Sequence, residues 1–456
     1  MENQIAQKPD WSLYKKIALR FAFIFFALYI VLYDWYSNFF SIMIYYYGQL
    51  EKPLASVVFW VGYNIFQIPY VITTPSPGSH ADYTYVYLLY FIFAVVAVVG
   101  TIVWSLLDRK RTNLDKLYYW FTVMLRYYVA IVMFIFALEK FFKTQFGDLG
   151  FHRLTQPLGD MSPMSLAWAF FGYSQPYNVF MGIAEATALL LLFRRTMNLG
   201  AVLTLAALAN VIVINLAYDI HAKFYPVGFF VMTLILLLPN IEKLIKFFLT
   251  DQVTPLRVIQ APVFKKRWMN ISKTVFKYLV IAFHCGFLGI WSYFYYGGYI
   301  NERNQAKAEF VGIYDVETFV VNEDTLSNES PLRWREIALG DIAERVRLKG
   351  DSIAFIDLSV AKKEMLLYGN GLELRRREQE IHNELGYEIN TDSILVARNI
   401  KSKFHFEKTD PTTMVLKGKV ENDSVFVRAK RRSIEIKDFR LMRRKPQLVT
   451  EAEYFY

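Results

Sequence analysis

Seven mostly apolar runs, each close to the length a helix needs to cross a bilayer, constrain this chain more than any other feature. They lie near 17–36, 85–107, 117–138, 177–193, 199–218, 224–239 and 275–296. A helix rises about 1.5 Å per residue, so about 20 apolar residues cross a hydrocarbon core of about 30 Å. An eighth run, Ala55 to Val71, is interrupted by Gly62, Asn64, Gln67 and Pro69 and reads as an interfacial or re-entrant segment. Composition agrees with a membrane protein. Of the 456 residues 54% are hydrophobic and 20% charged, which excludes a wholly soluble or disordered chain. Lys15, Lys16 and Arg20 lead into the apolar stretch as in a signal peptide, but no small-residue cleavage site follows, so that run is read as a retained helix.

Charge sets the orientation. Before Tyr299 there are 24 Lys and Arg against 14 Asp and Glu; after it the two are equal at 27. A basic excess confined to the apolar part marks loops on the cytoplasmic face, whereas a nucleic-acid binder would carry it on a solvated domain. Nucleic acid is therefore not an expected partner. With the N-terminus inside and seven crossings, 18 basic residues fall inside and 5 outside, with Arg126 within a span. This predicts a bacterial-type inner membrane protein whose tail is extracytoplasmic. Tyr45, Tyr46, Tyr47, Trp291, Tyr293, Tyr295 and Tyr296 crowd span ends as an interfacial aromatic belt does.

From 300 to 456 the character changes to balanced charge and short alternating runs. Val311–Val321, Arg333–Leu339, Ser352–Leu358, Ser393–Arg398, Met414–Val420 and Ser424–Lys430 read as strands, the last two joined by a hairpin turn at Glu421, Asn422 and Asp423. A mainly β domain closing as a small barrel or sandwich is expected. The charged stretch Ala361–Glu384, with Arg375, Arg376 and Arg377, reads as a helix or long loop with a solvated face. The domain division is thus 1–299 for the helices and 300–456 for the β-rich part.

Ionisable groups at mid-bilayer are costly, so they face the interior and pair. Arg126 is tenth in an outward span, Glu185 ninth in an inward one and Asn210 twelfth in the next. Equal depth predicts an Arg126–Glu185 ion pair whose hydrogen bonds Asn210 completes, and His284 falls at the same depth in the last span. Such a pair either fixes helix register or handles substrate, quinone or protons. Asn215 reads as interhelical glue. At the outer mouth His152, Arg153, Asp160, Asp219, His221 and Lys223 form a solvated, salt-bridged rim whose spacing matches no metal motif. Cys285 alone offers no intrachain disulfide or dithiol, and there is no phosphate loop, Gly-x-Ser-x-Gly or haem-attachment sequence.

Between Leu125 and Leu238, about a quarter of the chain, the residues fall in a recognisable order. Leu125-Arg126 is followed by Glu139-Lys140, Gly182-Ile183-Ala184-Glu185, Leu189 to Leu192, Arg194-Arg195 and Gly200-Ala201. This order resembles the DoxX-like four-helix membrane family, which places a core at 117–239. Tyr127 and Tyr128 stand where that family usually has a glycine. The resemblance implies quinone-connected redox chemistry, since relatives include the membrane subunit of a thiosulfate:quinone oxidoreductase. On it, Glu185 and Arg126 would be catalytic, Asn210 and His284 would line a quinone site, and a protein partner would meet the outer domain. The competing expectation is a non-catalytic assembly or interaction protein whose β-domain is the working part. A proton-coupled transporter is disfavoured, because no matching pair of interrupted helices marks two halves.

Overall fold

The computed structural model describes residues 11–33, 44–75, 81–250, 255–256, 258, 261, 264–294, 309–330, 333–340, 344–348, 353–359, 364–368, 402–420 and 423–443. These residues form two compact units. One is helical, covering residues to Phe142 and Pro176–Ser292, and the other joins Lys143–Gln175 to the C-terminal sheet.

The helical unit begins with α1 (Leu13–Leu28), which runs into a π turn, Tyr29–Tyr33. Then come α2 (Ile44–Trp60), α3 (Thr84–Leu107) and α4 (Asp115–Phe141). Beyond the sheet-associated segment follow α7 (Gln175–Ala186), α8 (Met197–Ala217), α9 (Phe224–Leu237) and α10 (Ile241–Leu249). The last helices are α11 (Arg267–Ile281) and α12 (Phe287–Phe294), joined by the π turn Ala282–Gly286. Among the described residues six helical stretches are long and apolar enough to cross a membrane: Leu13–Tyr33, Thr84–Leu107, Asp115–Phe141, Met197–Ala217, Phe224–Leu249 and Arg267–Phe294. The expected run at 177–193 is not among them, because it is split. After Ala186 it tightens into a 3-10 helix, Thr187–Leu192. Ala55–Val71 is not among the six either; α2 ends inside it, and the π turn Val61–Ile65 follows.

Buried side chains from α1, α2, α3, α4, the 3-10 stretch, α8 and α9 form one core. The buried guanidinium of Arg20 reaches Ser105 Oγ at 2.9 Å and Asp108 Oδ2 at 3.3 Å, and so fixes α1 against the end of α3. Trp11 Nε1 donates to Asp115 Oδ1 at 2.9 Å, tying the start of α1 to that of α4. Asp82 accepts from the Lys223 and Phe224 amides at the start of α9. It thereby satisfies two of the donors that a helix N-terminus leaves open.

The second unit is an antiparallel sheet of β1 (Gly312–Val321), β2 (Asp324–Thr325), β3 (Trp334–Leu339), β4 (Glu344–Leu348), β5 (Ile353–Ser359), β6 (Glu364–Tyr368), β7 (Ser402–Lys408), β8 (Thr413–Val420) and β9 (Asp423–Arg431). From β3 on, each strand pairs with the next in sequence, and β9 pairs back onto β1, so the ladder from β1 through β3 to β9 has no free edge among these pairings. The hairpin expected around 421–423 pairs Val420 with Asp423. The expected strand Ser393–Arg398 and Arg375–Arg377 lie outside the described residues. The helix or loop expected at Ala361–Glu384 is corrected in its first part, where β6 pairs with β5 and β7.

Tyr314, Val316, Phe319, Trp334, Ile337, Phe404 and Leu416 belong to one buried core on the inner face. A bulge between Val316 and Thr318 interrupts the β1–β9 register, and Arg333 donates through one Nη2 to the Val316 and Glu317 carbonyls at 3.0 and 2.9 Å. On the opposite face Ile313 and Ala338, directly paired between β1 and β3, are covered by Phe151, Ile434, Ile436 and Phe439. Phe151 begins the short α5 (Phe151–Leu154), which is followed by α6 (Pro163–Tyr173). The segment Lys143–Gln175, a loop of the helical part by sequence, thus covers an apolar patch of the sheet.

Candidate functional site

The centre of the helical unit is built around the break between Ala186 and Thr187. The Thr187 hydroxyl donates to the Ala184 carbonyl at 2.6 Å, which competes with the next α-helical bond, and the chain continues as 3-10 helix. Where that helix ends, its final carbonyls need donors. Thr196 Oγ1 donates to Leu190 O at 2.8 Å, Arg126 Nε to Leu191 O at 2.6 Å and Arg126 Nη2 to Leu192 O at 2.9 Å. Gly200 lets α8 close in, since a Cβ there would lie 2.8 Å from Leu190 Cβ and 3.0 Å from the Leu191 amide nitrogen.

This geometry corrects the expected ion pair. Arg126, 2% exposed, caps the broken helix rather than meeting Glu185. Glu185 instead has Lys140 Nζ at 2.8 Å from its Oε2, both side chains being buried. Glu139 lies close enough to interact electrostatically with both. The α4–α7 approach that places them depends on Gly182, where a Cβ would fall 2.6 Å from Phe141 and 3.1 Å from the Ala137 carbonyl. Sequence reasoning counted Lys140 among the outer charges; the signal available was its neighbour Glu139 together with the apolar character of α4 up to Phe141.

Asn210 does not complete the cluster: it stands on the exposed side of α8. His284 belongs by its backbone to the π turn of the last helices, and its side chain lies outside the described residues. Asn215 holds a turn rather than a neighbouring helix, donating to the Ala222 carbonyl at 2.8 Å. Between α1, α3, α4 and α9 runs an aromatic column that the sequence reading did not pick out. Tyr29 lies 5.1 Å from Tyr33 and 5.8 Å from Tyr90, Tyr128 lies 5.6 Å from Phe229, and Tyr225 lies 4.9 Å from Phe229, all between ring centroids.

At the turn between α8 and α9, Asp219 adopts a left-handed conformation with φ 49° and accepts from Lys223 Nζ at 2.7 Å. That hydrogen bond holds the Asp219 carboxyl below the usual range and the Lys223 ammonium above its own. His221 is exposed there, whereas His152 is buried in the sheet unit. No group of three or more His, Cys, Asp or Glu able to hold a metal occurs among the described residues.

The structure thus defines a class: a chain with several helices fit to cross a membrane and a C-terminal antiparallel sheet domain. No known family model matches it, and no solved structure is similar to it. It is 32% identical over 136 residues to the uncharacterized protein YwoB of Bacillus subtilis (strain 168), a match covering 30% of this chain and 86% of that protein. The chain belongs to the family of that protein.

Proposed function

We propose that this is a membrane-anchored interaction protein of a bacterial-type inner membrane, with seven crossings, a cytoplasmic N-terminus and an extracytoplasmic β-barrel that binds a protein partner. The observation that carries this reading is the engagement of the bundle's ionic groups with the bundle itself. Arg126 is used by two carbonyls and Glu185 by Lys140, and a carboxylate held in an ion pair is poorly placed to exchange protons. The return pairing of β9 onto β1 supports the barrel. The split run supports a seventh crossing, because twelve α-helical and six 3-10 residues together rise about 30 Å.

A second reading makes the protein a component of a quinone-linked redox system. It rests on the DoxX-like order of residues and on one observation: Glu139, Lys140 and Glu185 bring two carboxylates to one ammonium in a desolvated place. In that reading a bound quinone or a partner subunit would carry the electrons, and Glu139 and Glu185 would exchange protons with it. One experiment separates the two. Complementation, membrane abundance and co-purified quinone are measured for Glu185→Gln, Glu139→Gln and a deletion of residues 300–456. Full complementation by both Gln variants with failure of the deletion, at normal abundance, supports the interaction protein. Loss with either Gln variant at normal abundance, together with loss of quinone, supports the redox component and overturns the first reading.

A further inference from the structure

One side of α8 is taken up by its own chain. Ala201, Thr204 and Leu208 are buried there, where the helix packs against the 3-10 stretch and α9. On the other side Leu199, Leu203, Ala206, Asn210, Val213 and Ala217 follow one another at intervals of four, three, four, three and four residues, and all six are exposed. Those intervals are the a/d seam along which two parallel helices stay in contact over their length. Hydrocarbon would cover such a stripe as well as a partner helix does, were all six residues apolar. Asn210 is the residue that decides. It precedes the end of the helix at Ala217 by seven residues, about 10 Å, so its amide lies at hydrocarbon depth. Among the described residues it makes no hydrogen bond, and a primary amide facing hydrocarbon unpaired is costly.

An amide carries two donors and an acceptor, so a second amide complements it fully. The geometry of insertion says which molecule supplies that second amide. Copies of one chain enter the bilayer in one orientation, so two of them are related by a two-fold axis along the membrane normal, and α8 of each meets the other in parallel. In a parallel pair a seam residue faces its own counterpart, as a single Asn at an a position does when it fixes the register of a coiled-coil dimer. Ala206, one turn before Asn210 on the same seam, leaves room for the two backbones to approach. We propose that this protein is a homodimer in the membrane, joined along α8, with the Asn210 amides of the two copies hydrogen-bonded across the two-fold axis. The pairing requires only that α8 crosses, as its length and composition fit it to do, and is independent of whether the chain is an interaction protein or a redox component.

The test uses the full-length protein in phosphatidylcholine and phosphatidylglycerol vesicles, with donor and acceptor fluorophores on a C-terminal tag and energy transfer followed as lipid dilutes the protein. The wild type shows transfer that falls on dilution as a dimer dissociates. Asn210→Leu lowers the association constant roughly tenfold, the loss expected for an interhelical amide hydrogen bond in a membrane, and Asn210→Gln, which keeps the amide, loses less. Cross-linking with a short bismaleimide, in protein that carries Cys285→Ser and keeps Asn210, reads the contact even if the Leu variant folds poorly. Val213→Cys on the seam joins two copies, and Ile212→Cys on the opposite side of the helix does not. A wild type that is monomeric at every dilution overturns the proposal, as does a folded Asn210→Leu variant that pairs as tightly as wild type. Cross-linking through Ile212→Cys but not through Val213→Cys would put the contact on another face and overturn it as well.

Discussion

At Arg126 one planar guanidinium satisfies two consecutive carbonyls, which a single ammonium on a shorter stem does less well. Hydrogen bonds from charged donors contribute about 1.5–3 kcal/mol each, so Arg126→Leu is expected to destabilise the bundle by roughly 3 kcal/mol or more, with Arg126→Lys recovering only part. Denaturant unfolding in detergent measures both, and an unchanged midpoint for the Leu variant would contradict the capping role. The Lys140–Glu185 pair obeys a different rule. Breaking a buried pair by removing one partner costs roughly 3–5 kcal/mol, whereas replacing both by apolar residues of similar size costs much less. We therefore expect Lys140→Met and Glu185→Leu each to be more damaging than the two together; additive losses would show the groups to be independent. In the sheet unit, Asp410 accepts from the Thr412 hydroxyl and from the Thr412 and Thr413 amides, and these donors hold its carboxyl at about 2. The folded value lies below the unfolded one of about 3.9, so the stabilisation is complete above that value and is lost as pH falls through about 2. A carboxyl titration followed by NMR should place the Asp410 transition near pH 2, and a transition near 4 would show that the turn does not form in solution.

At the scale of elements, the apolar runs and their approximate ends were legible because about 20 hydrophobic residues admit few alternatives. Their relative depth was not. Counting each run from its own first residue put Glu185 level with Arg126, yet the residues level with Arg126 are Leu191 and Leu192. Close approach at Gly182 puts α7 beside Phe141 and Ala137, and the 3-10 stretch then advances about 2 Å per residue instead of 1.5. Neither the break nor the register is encoded in hydropathy, which is why Lys140 was missed as the partner. Among the strands, β1, β3, β5, β8 and β9 carried apolar or β-branched alternation. By contrast β4 (Glu-Arg-Val-Arg-Leu) is dominated by charge, and β7 alternates Phe404 and Phe406 with polar residues in a run short enough to pass as loop. Register matters most at Gly418, which faces Phe404 across the β7–β8 pair, and a Cβ there would fall 2.4 Å from the Lys403 carbonyl oxygen and 2.9 Å from Phe404 Cα. Backbone rather than a flexible side chain would have to move. Gly418→Ala should therefore destabilise the sheet domain by about 1–3 kcal/mol, as overpacking does. Hydrogen exchange of the β7 and β8 amides in the full chain checks it.

For the whole molecule the decisive quantity is the number of crossings, because each added or removed crossing moves every later loop to the other side. Six helices qualify by length and composition alone. If only these crossed, with the N-terminus inside, the basic loop between α9 and α11 would face outward together with Arg194 and Arg195, and residues 300–456 would be cytoplasmic. That arrangement moves ten of the inner basic residues outward and contradicts the retention of Lys and Arg on the inner side. Counting the broken segment Gln175–Leu192 as a crossing restores the 18 to 5 asymmetry and would put the sheet domain outside. Carbonyls at the end of its 3-10 stretch, which hydrocarbon would not tolerate unpaired, find Thr196 and Arg126. We therefore expect reporters inserted after Lys110 and after Arg195 to report the cytoplasm and one fused after Tyr456 to report the outside. A cytoplasmic signal at Tyr456 with an outside signal at Arg195 would show that Gln175–Leu192 does not cross, and the interaction domain would then have to find its partner in the cytoplasm.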